Sequence, residues 1–159
     1  MTDRTAGWVR RYDFRLGDRP AGQVVEVEQA NRLTAAAWFV IDGEVVDNRY
    51  RVELAGGRPQ RACKDGGPWH EIPDGVYPSS AYMLVLREGL ASWRCLDEGT
   101  GEVAERRMEA RHDGVVEVDA ITGQALRRFR VVDGEVVGID WGGGEAYSEL
   151  LEVEAIEAP

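Results

Sequence analysis

Apolar and polar residues alternate along most of this chain in short runs. In the first run, residues 8–16, the side chains of Trp8, Tyr12, Phe14 and Leu16 share one face. Asp-Gly pairs or other glycine-rich segments separate this run from those that follow. Alternation with a period of two predicts half-buried β-strands, and Asp-Gly tolerates the positive φ angles of tight hairpin turns. The pattern therefore predicts an all-β fold, an antiparallel meander that forms a sheet or a barrel.

Eleven strands follow from this pattern. The last is predicted to end at Val153, so that residues 154–159 would fray, and Gly142-Gly143-Gly144 before it is predicted to be a turn or bulge. One strand follows the Asp133-Gly134 turn, and the others are predicted at residues 8–16, 22–29, 33–41, 45–54, 58–64, 91–96, 102–111, 115–119, 125–132 and 146–153.

Turn geometry also predicts the register of two hairpins. A two-residue turn at Asp42-Gly43 places Phe39 opposite Val46 on the core face, and Trp38 opposite Asp47 on the reverse face. The same reasoning at Asp133-Gly134 places Phe129 opposite Gly138 and Arg127 opposite Asp140. Arg128 would then lie on the same face as Leu126, Ile139 and Trp141. A cation on an apolar face needs a partner, either a protein carboxylate or a ligand.

The segment from Trp69 to Leu90 departs from the alternating pattern. Pro78 followed by Ser79, as candidate N-cap, predicts a short helix at about residues 79–88 that ends at Gly89. A buried strand at Tyr82–Leu86 is the alternative, because that stretch is short and apolar.

Composition narrows the range of functions. With 159 residues, the chain is predicted to be a single domain, residues 1–159. Its net charge of −10 opposes non-specific binding of nucleic acid and of anionic membrane surfaces. A membrane-spanning helix needs about 20 consecutive apolar residues, and no stretch of the sequence approaches that length. The segment MTDRTAGWVRRYDF lacks the apolar centre of a secretory signal. In a reducing compartment Cys63 and Cys95 are expected to be free thiols. We therefore expect a cytoplasmic location.

Motifs for metal binding and for catalysis are weak. His70, His112, Cys63 and Cys95 do not have zinc-site spacing, so neither a metal nor a cofactor is predicted. The glycines at 142–144 lack the lysine of a phosphate-binding loop. Ser79 or Ser80 could form a catalytic triad with His70 and Asp74, but neither serine lies in the nucleophile-elbow motif G-x-S-x-G. Cys63 is interpreted as a structural thiol. No catalytic residue is therefore assigned.

Aromatic residues suggest a ligand site instead. An apolar concave pocket needs large rings and a few polar groups that orient the ligand. The candidates for such a pocket are Trp38, Trp69, His70, Tyr77, Tyr82, Arg128 and Trp141. The alternative is that these rings belong to the core and that the arginines extend over the sheet faces.

Three segments resemble one known superfamily of half-barrels. They are YDFRLGDRPAGQVVEVE at the start, YPSSAYMLVLREG in the middle, and RRFRVVDGEVVGIDWGGGEAYSELL at the end. This order of elements resembles that of the periplasmic lipoprotein carriers, the cofactor-free violacein-pathway enzyme, and a family described as glycolipid-binding. The resemblance implies a curled antiparallel sheet that holds a short helix on its concave side and admits an apolar ligand there.

The leading hypothesis is a binding protein for a lipid-like or aromatic small molecule, as a monomer or homodimer. One alternative is a cofactor-free enzyme that uses Tyr77, His70 or Arg128 on a small hydrophobic substrate. Another is an interaction module without a ligand, which would pair through exposed strand edges.

Overall fold

The computed structural model describes residues 5–141 and 145–158. Within these ranges thirteen strands form one sheet in the order β6-β5-β4-β3-β2-β1-β13-β12-β11-β10-β9-β8-β7. The strands are β1 Thr5–Leu16, β2 Arg19–Gln29, β3 Arg32–Ile41, β4 Glu44–Ala55, β5 Arg58–Lys64, β6 His70–Glu71, β7 Val76–Pro78, β8 Ser92–Leu96, β9 Val103–Arg111, β10 Gly114–Asp119, β11 Ala125–Val132, β12 Glu135–Trp141 and β13 Ala146–Glu157.

One short helix interrupts the meander. A 3₁₀ turn at Ser79–Ala81 leads into helix α1, Tyr82–Glu88. The helix ends at Gly89, whose φ of 65° is left-handed and whose N–H bonds back to the carbonyl of Leu86. The predicted helix is confirmed, and the strand alternative for residues 82–86 is wrong. No helix in the described part of the chain is long and apolar enough to cross a membrane.

The sheet curls around α1. Buried residues of the helix segment, Ala81, Tyr82 and Met83, pack in a single cluster with buried side chains from both halves of the sheet, namely Leu33, Val52, Ala62, Val76, Leu96, Phe129, Val136 and Ile139. All ladders are antiparallel except that between β7 and β8, and the end strands β6 and β7 do not pair with each other. The fold is therefore an open, curled all-β sheet, as predicted, and we call the face toward α1 the concave face.

Asp-Gly pairs form the turns of two predicted hairpins, β3–β4 and β11–β12. Asp42 and Asp133 have φ near 50° and are each followed by a glycine with positive φ, as tight two-residue turns require. The predicted β3–β4 register is confirmed, with Phe39 opposite Val46 and Trp38 opposite Asp47.

The predicted register of the β11–β12 hairpin is wrong beyond its first two pairs. A shift between Arg130 and Val131 places Arg130, not Phe129, opposite Gly138. In consequence Arg127 lies opposite Trp141, and Arg128 lies opposite Asp140. A one-residue shift reverses which side chains point inward. Arg127 therefore faces the concave side, while Arg128 is exposed.

The structure differs from the prediction in two further places, the end of the last strand and two short strands. Residues 154–157 do not fray, because β13 continues to Glu157 and pairs with β1, so that Glu154 lies opposite Val9 and Ala155 opposite Trp8. Strands β6 and β7 were not predicted at all; each is only two or three residues long. The predicted turn at Gly142-Gly143-Gly144 lies outside the described residues.

Candidate functional site

Two of the cavities formed by the described residues lie on the concave face and share a hydrogen-bonded pair, Glu26 and Tyr82. We call the first the apolar pocket. It has a volume of about 340 Å³, and most of its wall is apolar: Phe14, Val24, Ala35, Ala37, Phe39, Ile41, Trp141 and Ala146. Its polar groups come from Glu26, Asn48, Tyr50, Ser79, Ser80, Tyr82 and Arg127.

The second cavity, which we call the charged pocket, has a volume of about 390 Å³. Its apolar wall includes Met83, Leu86, Val115, Val131 and Val136, and it carries the charged side chains of Arg10, Glu26, Arg87 and Glu135. Because Glu26 and Tyr82 contribute to both cavities, these two residues separate them.

Strand alternation builds the floor of the apolar pocket. On β3, Leu33, Ala35, Ala37 and Phe39 point inward, while Ala36 and Trp38 are exposed. The small side chains at 35 and 37 leave space beside the larger ring of Phe39. A pocket of this size lies at the lower end of the range of about 300–1,000 Å³ that small-molecule sites occupy.

Gly22 lets two phenylalanines stack in this wall. It lies on β2 between Phe14 of β1 and Phe39 of β3, and the two rings stack with centroids 4.5 Å apart. A Cβ atom at Gly22 would lie 1.9 Å from the carbonyl oxygen of Trp38, so no larger residue fits there without a backbone shift. Gly22, predicted to open its strand, instead lies within β2, which begins at Arg19, and it has a packing role at the pocket.

Among the described residues that line the apolar pocket, Glu26 is the one with a buried polar atom that makes no hydrogen bond. It is 5% exposed, and its Oε1 accepts a hydrogen bond from the hydroxyl of Tyr82. Its other oxygen, Oε2, is buried and has no hydrogen-bond partner among the described residues. Burial raises the pKa of Glu26 to about 7, although the Tyr82 hydroxyl and the nearby charges of Arg10 and Arg127 lower it.

Arg127 is held by one carboxylate and three aromatic rings. Its Nε and Nη2 donate to the two oxygens of Glu117 at 2.7 and 2.8 Å, and its Nη1 donates to the Ser79 carbonyl at 3.0 Å. The guanidinium carbon lies 5.2–5.9 Å from the ring centroids of Tyr82, Phe129 and Trp141. The pKa of Arg127 is raised by Glu117 despite burial. The expected carboxylate partner of an inward arginine is thus present, but the arginine is Arg127 and not Arg128.

Glu98 organises the start of the helix segment. It is 2% exposed and accepts hydrogen bonds from the Ser79 hydroxyl, the Ser80 hydroxyl and the Ser80 N–H at 2.7–2.8 Å. Ser79 makes no cap bond of its own, so its predicted role as N-cap is wrong. The carboxylate instead fixes both serines at the wall of the apolar pocket.

A network of charges borders the other cavity. Arg10, which is 4% exposed, donates to both oxygens of Glu135 at 2.8 and 3.0 Å and to Glu28 at 2.7 Å. Arg87 of α1 also binds Glu28. These contacts lower the pKa of the Glu28 carboxyl. The network connects α1 to β1, β2 and β12, so it fixes the helix within the sheet.

Two of the seven residues proposed from the sequence line the apolar pocket. Tyr82 lies in its wall beside Glu26, and Trp141 lies in the wall as well, where the indole N–H donates to Ser148 at 3.1 Å.

The other five lie elsewhere. Trp38 is 50% exposed, Trp69 stacks against Arg61 at the surface, and Arg128 is exposed. Tyr77 is buried in a second cluster and donates to Glu88 at 2.6 Å. His70 packs against Gly101, and its buried Nε2 has no partner among the described residues.

The residues that sequence reasoning missed are charged ones on apolar faces. Alternation along β1 places Arg10 between Trp8 and Tyr12, and alternation along β2 places Glu26 next to Val24 on the same face. A charged residue within an inward-facing row of apolar residues is the sequence signal that marks both positions.

Cys63 and Cys95 are buried free thiols, and burial raises the pKa of both. Among residues 5–141 and 145–158, no cluster of three His, Cys, Asp or Glu is arranged to hold a metal.

Comparison of the chain with protein-family models, with curated proteins and with solved structures finds no match in any of the three.

Proposed function

We propose that this protein binds a small apolar molecule in the apolar pocket. The observation that carries the proposal is the combination of an apolar wall with a buried polar end. Two rings, Phe14 and Phe39, and the alanines at 35 and 37 form a surface that water wets poorly. Glu26, which also lines the pocket, has a carboxylate oxygen for which the described residues provide no hydrogen-bond partner.

Buried polar atoms without a partner are rare in folded proteins and cost about 1–3 kcal/mol each. A bound molecule that donates to Glu26 would remove that cost while covering the apolar wall. Small-molecule sites generally combine a mostly apolar lining with a few polar groups that fix orientation. The apolar pocket has this composition. The charged pocket has a larger share of charged groups, which are already paired with one another through Arg10, Glu28 and Glu135.

Fluorescence titration tests the proposal. The neutral dye N-phenyl-1-naphthylamine is titrated into the protein, and quenching of tryptophan emission is followed alongside dye emission. Trp141 lies in the pocket wall, whereas Trp38 is exposed on the outer face of β3. Saturable binding, with quenching that is lost in Trp141→Phe but kept in Trp38→Phe, is the expected result.

A pair of alanine substitutions on one strand provides the matched control. Ala37→Trp fills the pocket and is expected to weaken dye binding at least about tenfold, because the added ring takes the ligand's volume. Ala36→Trp adds the same ring to the exposed face of the same strand and is expected to leave binding unchanged. Equal dye affinity in the two variants, or no saturable binding to the wild-type chain, would overturn the proposal.

A further inference from the structure

We infer that the apolar pocket selects molecules whose apolar body ends in a protonated amine or a similar cationic hydrogen-bond donor, and that Glu26 receives this group. The inference rests on the proposed function and adds the chemical class of the ligand. It follows from which charges near the pocket are already matched and which are not.

Most of the buried charges are matched within the protein. Arg127 is matched by Glu117 through two hydrogen bonds. Glu28 and Glu135 are matched by Arg10 and, for Glu28, also by Arg87. Each of these carboxylates contacts a guanidinium directly, so none of them needs a further cation.

Two buried carboxylates have no such cation. Glu98 accepts three hydrogen bonds, two from serine hydroxyls and one from the backbone. Glu26 accepts only one, from Tyr82, and no ion pair to it is found in the described parts of the chain. Glu26 is therefore the position at which a cationic donor would gain most, because a hydrogen bond between ions is stronger than one between neutral groups.

An anionic ligand fits the same pocket less well. Arg127 is the cation in its wall, and that charge is already neutralised by Glu117. A carboxylate ligand placed beside Arg127 would also approach Glu26 in a region of low dielectric, where like charges repel strongly. The net charge of −10 further favours the approach of cations over that of anions.

Binding of an amine is expected to release protons. The charged or titratable groups around Glu26 are Tyr82 and Arg87 of α1, Arg10 and Tyr12 of β1, Glu28 of β2, Tyr50 of β4, Arg127 of β11 and Glu135 of β12. Their combined effect with burial leaves the pKa of Glu26 at about 7, so about half of the molecules carry the proton at that pH. A cation against the carboxylate lowers this pKa and displaces the proton.

Three ligands of equal chain length test the inference, namely octylamine, octanol and octanoate. Their affinities for the wild-type protein are measured by calorimetry at pH 8 and pH 5. At pH 8 octylamine is expected to bind at least about tenfold more tightly than octanol, and octanoate most weakly. At pH 5, where Glu26 is protonated, the preference for the amine should largely disappear. Near pH 7, enthalpies in two buffers should report release of about half a proton.

Glu26→Gln separates the carboxylate from the rest of the pocket. This variant is expected to lose the preference for octylamine over octanol, because a neutral amide offers no negative charge to the ammonium group. Glu44→Gln, at an exposed position, removes the same formal charge and should bind all three ligands like the wild type.

Tighter binding of octanoate than of octylamine, or an amine preference that survives in Glu26→Gln or at pH 5, would overturn the inference and leave the proposed function standing. Failure of the dye and of all three ligands to bind would overturn both.

Discussion

Glu117 on β10 and Arg127 on β11 face each other across the ladder and form an ion pair with two hydrogen bonds, 2.7 and 2.8 Å long. The side chains are only 3% and 11% exposed, so the pair lies almost out of water. The guanidinium is in contact with three aromatic rings that also pack against the helix or line the apolar pocket. The pair therefore connects the sheet to the site.

Glu117→Gln is expected to lower the free energy of unfolding by about 3–5 kcal/mol. The change keeps the shape of the side chain but leaves the charge of Arg127 buried without a counter-charge, which is the costly way to break a buried pair. Urea denaturation at pH 7, followed by far-UV circular dichroism, measures the change.

Glu53 and Arg61 supply the matched control. They also face each other across an antiparallel ladder and make two hydrogen bonds, of 2.6 and 2.8 Å, but both side chains are at least 40% exposed. Water and salt screen such a pair, so Glu53→Gln should barely move the unfolding midpoint. A comparable loss in the two variants would show that burial does not determine the strength of the Glu117–Arg127 pair.

Glu26 is expected to make the protein less stable as the pH rises from about 4.5 to about 7. The unfolded carboxyl titrates near 4.5 and the folded one near 7, so between these values the folded state holds more protons than the unfolded state. Stability is therefore highest below the lower value and falls until the higher one is passed. The difference in pKa corresponds to ~3 kcal/mol at full effect.

The comparison with Glu26→Gln isolates this contribution. Other carboxyls, such as Glu28 with its lowered pKa, give the opposite slope at lower pH in both proteins. The difference in unfolding free energy, wild type minus variant, should therefore decline between about pH 4.5 and pH 7 and be flat above that range. A difference that does not vary with pH would contradict the raised pKa of Glu26.

Tyr82→Phe is expected to destabilise the protein by about 1–3 kcal/mol, because the carboxyl of Glu26 loses the donor that binds its Oε1. The lost hydrogen bond lowers the pKa in the wild type, so the variant should titrate above 7. Carbon-13 NMR of the glutamate carboxyls follows this titration directly. Tyr77→Phe is the control; its partner Glu88 is exposed and can bind water instead, so the loss should be smaller. An unchanged or lowered pKa in Tyr82→Phe would exclude the assigned donor.

The fold was largely predictable because its signals are local. Glycine-containing turns separate many of the strands, and the β3–β4 register follows from the Asp42-Gly43 turn alone. The Pro78-Ser79 entry and Gly89 delimit the helix. Short strands such as β6 and β7 give no such signal, since two or three residues do not establish an alternation. The pairing of residues 154–157 with β1 depends on a partner near the other end of the chain, which local pattern does not identify.

The site was harder to predict because it depends on one irregular position. The register shift after Arg130 exchanges Arg127 for Arg128 on the concave face, and nothing in the local sequence marks that shift. Of the two partners expected for an inward arginine, a protein carboxylate or a ligand, the carboxylate is present, but it binds Arg127 and not the predicted Arg128. Glu26 was missed for another reason: its strand reads as polar, and its burial results from α1 packing over it. Tyr82 was found because it belongs to the apolar helix segment itself.

Glu98→Ala is expected to loosen the start of the helix segment and lower the unfolding free energy by about 1–3 kcal/mol. The change removes the acceptor for two hydroxyls and one N–H in a buried place, and a lost helix cap alone costs about 0.5–2 kcal/mol. Glu98→Gln keeps one carbonyl oxygen and should lose less. Glu102→Ala, in the same loop but exposed, should have little effect. Because Ser79 and Ser80 also line the apolar pocket, Glu98→Ala should weaken ligand binding. The loosened segment should also exchange its amide hydrogens faster at Ser80–Met83. Unchanged exchange there would show that the carboxylate does not hold the helix segment in place.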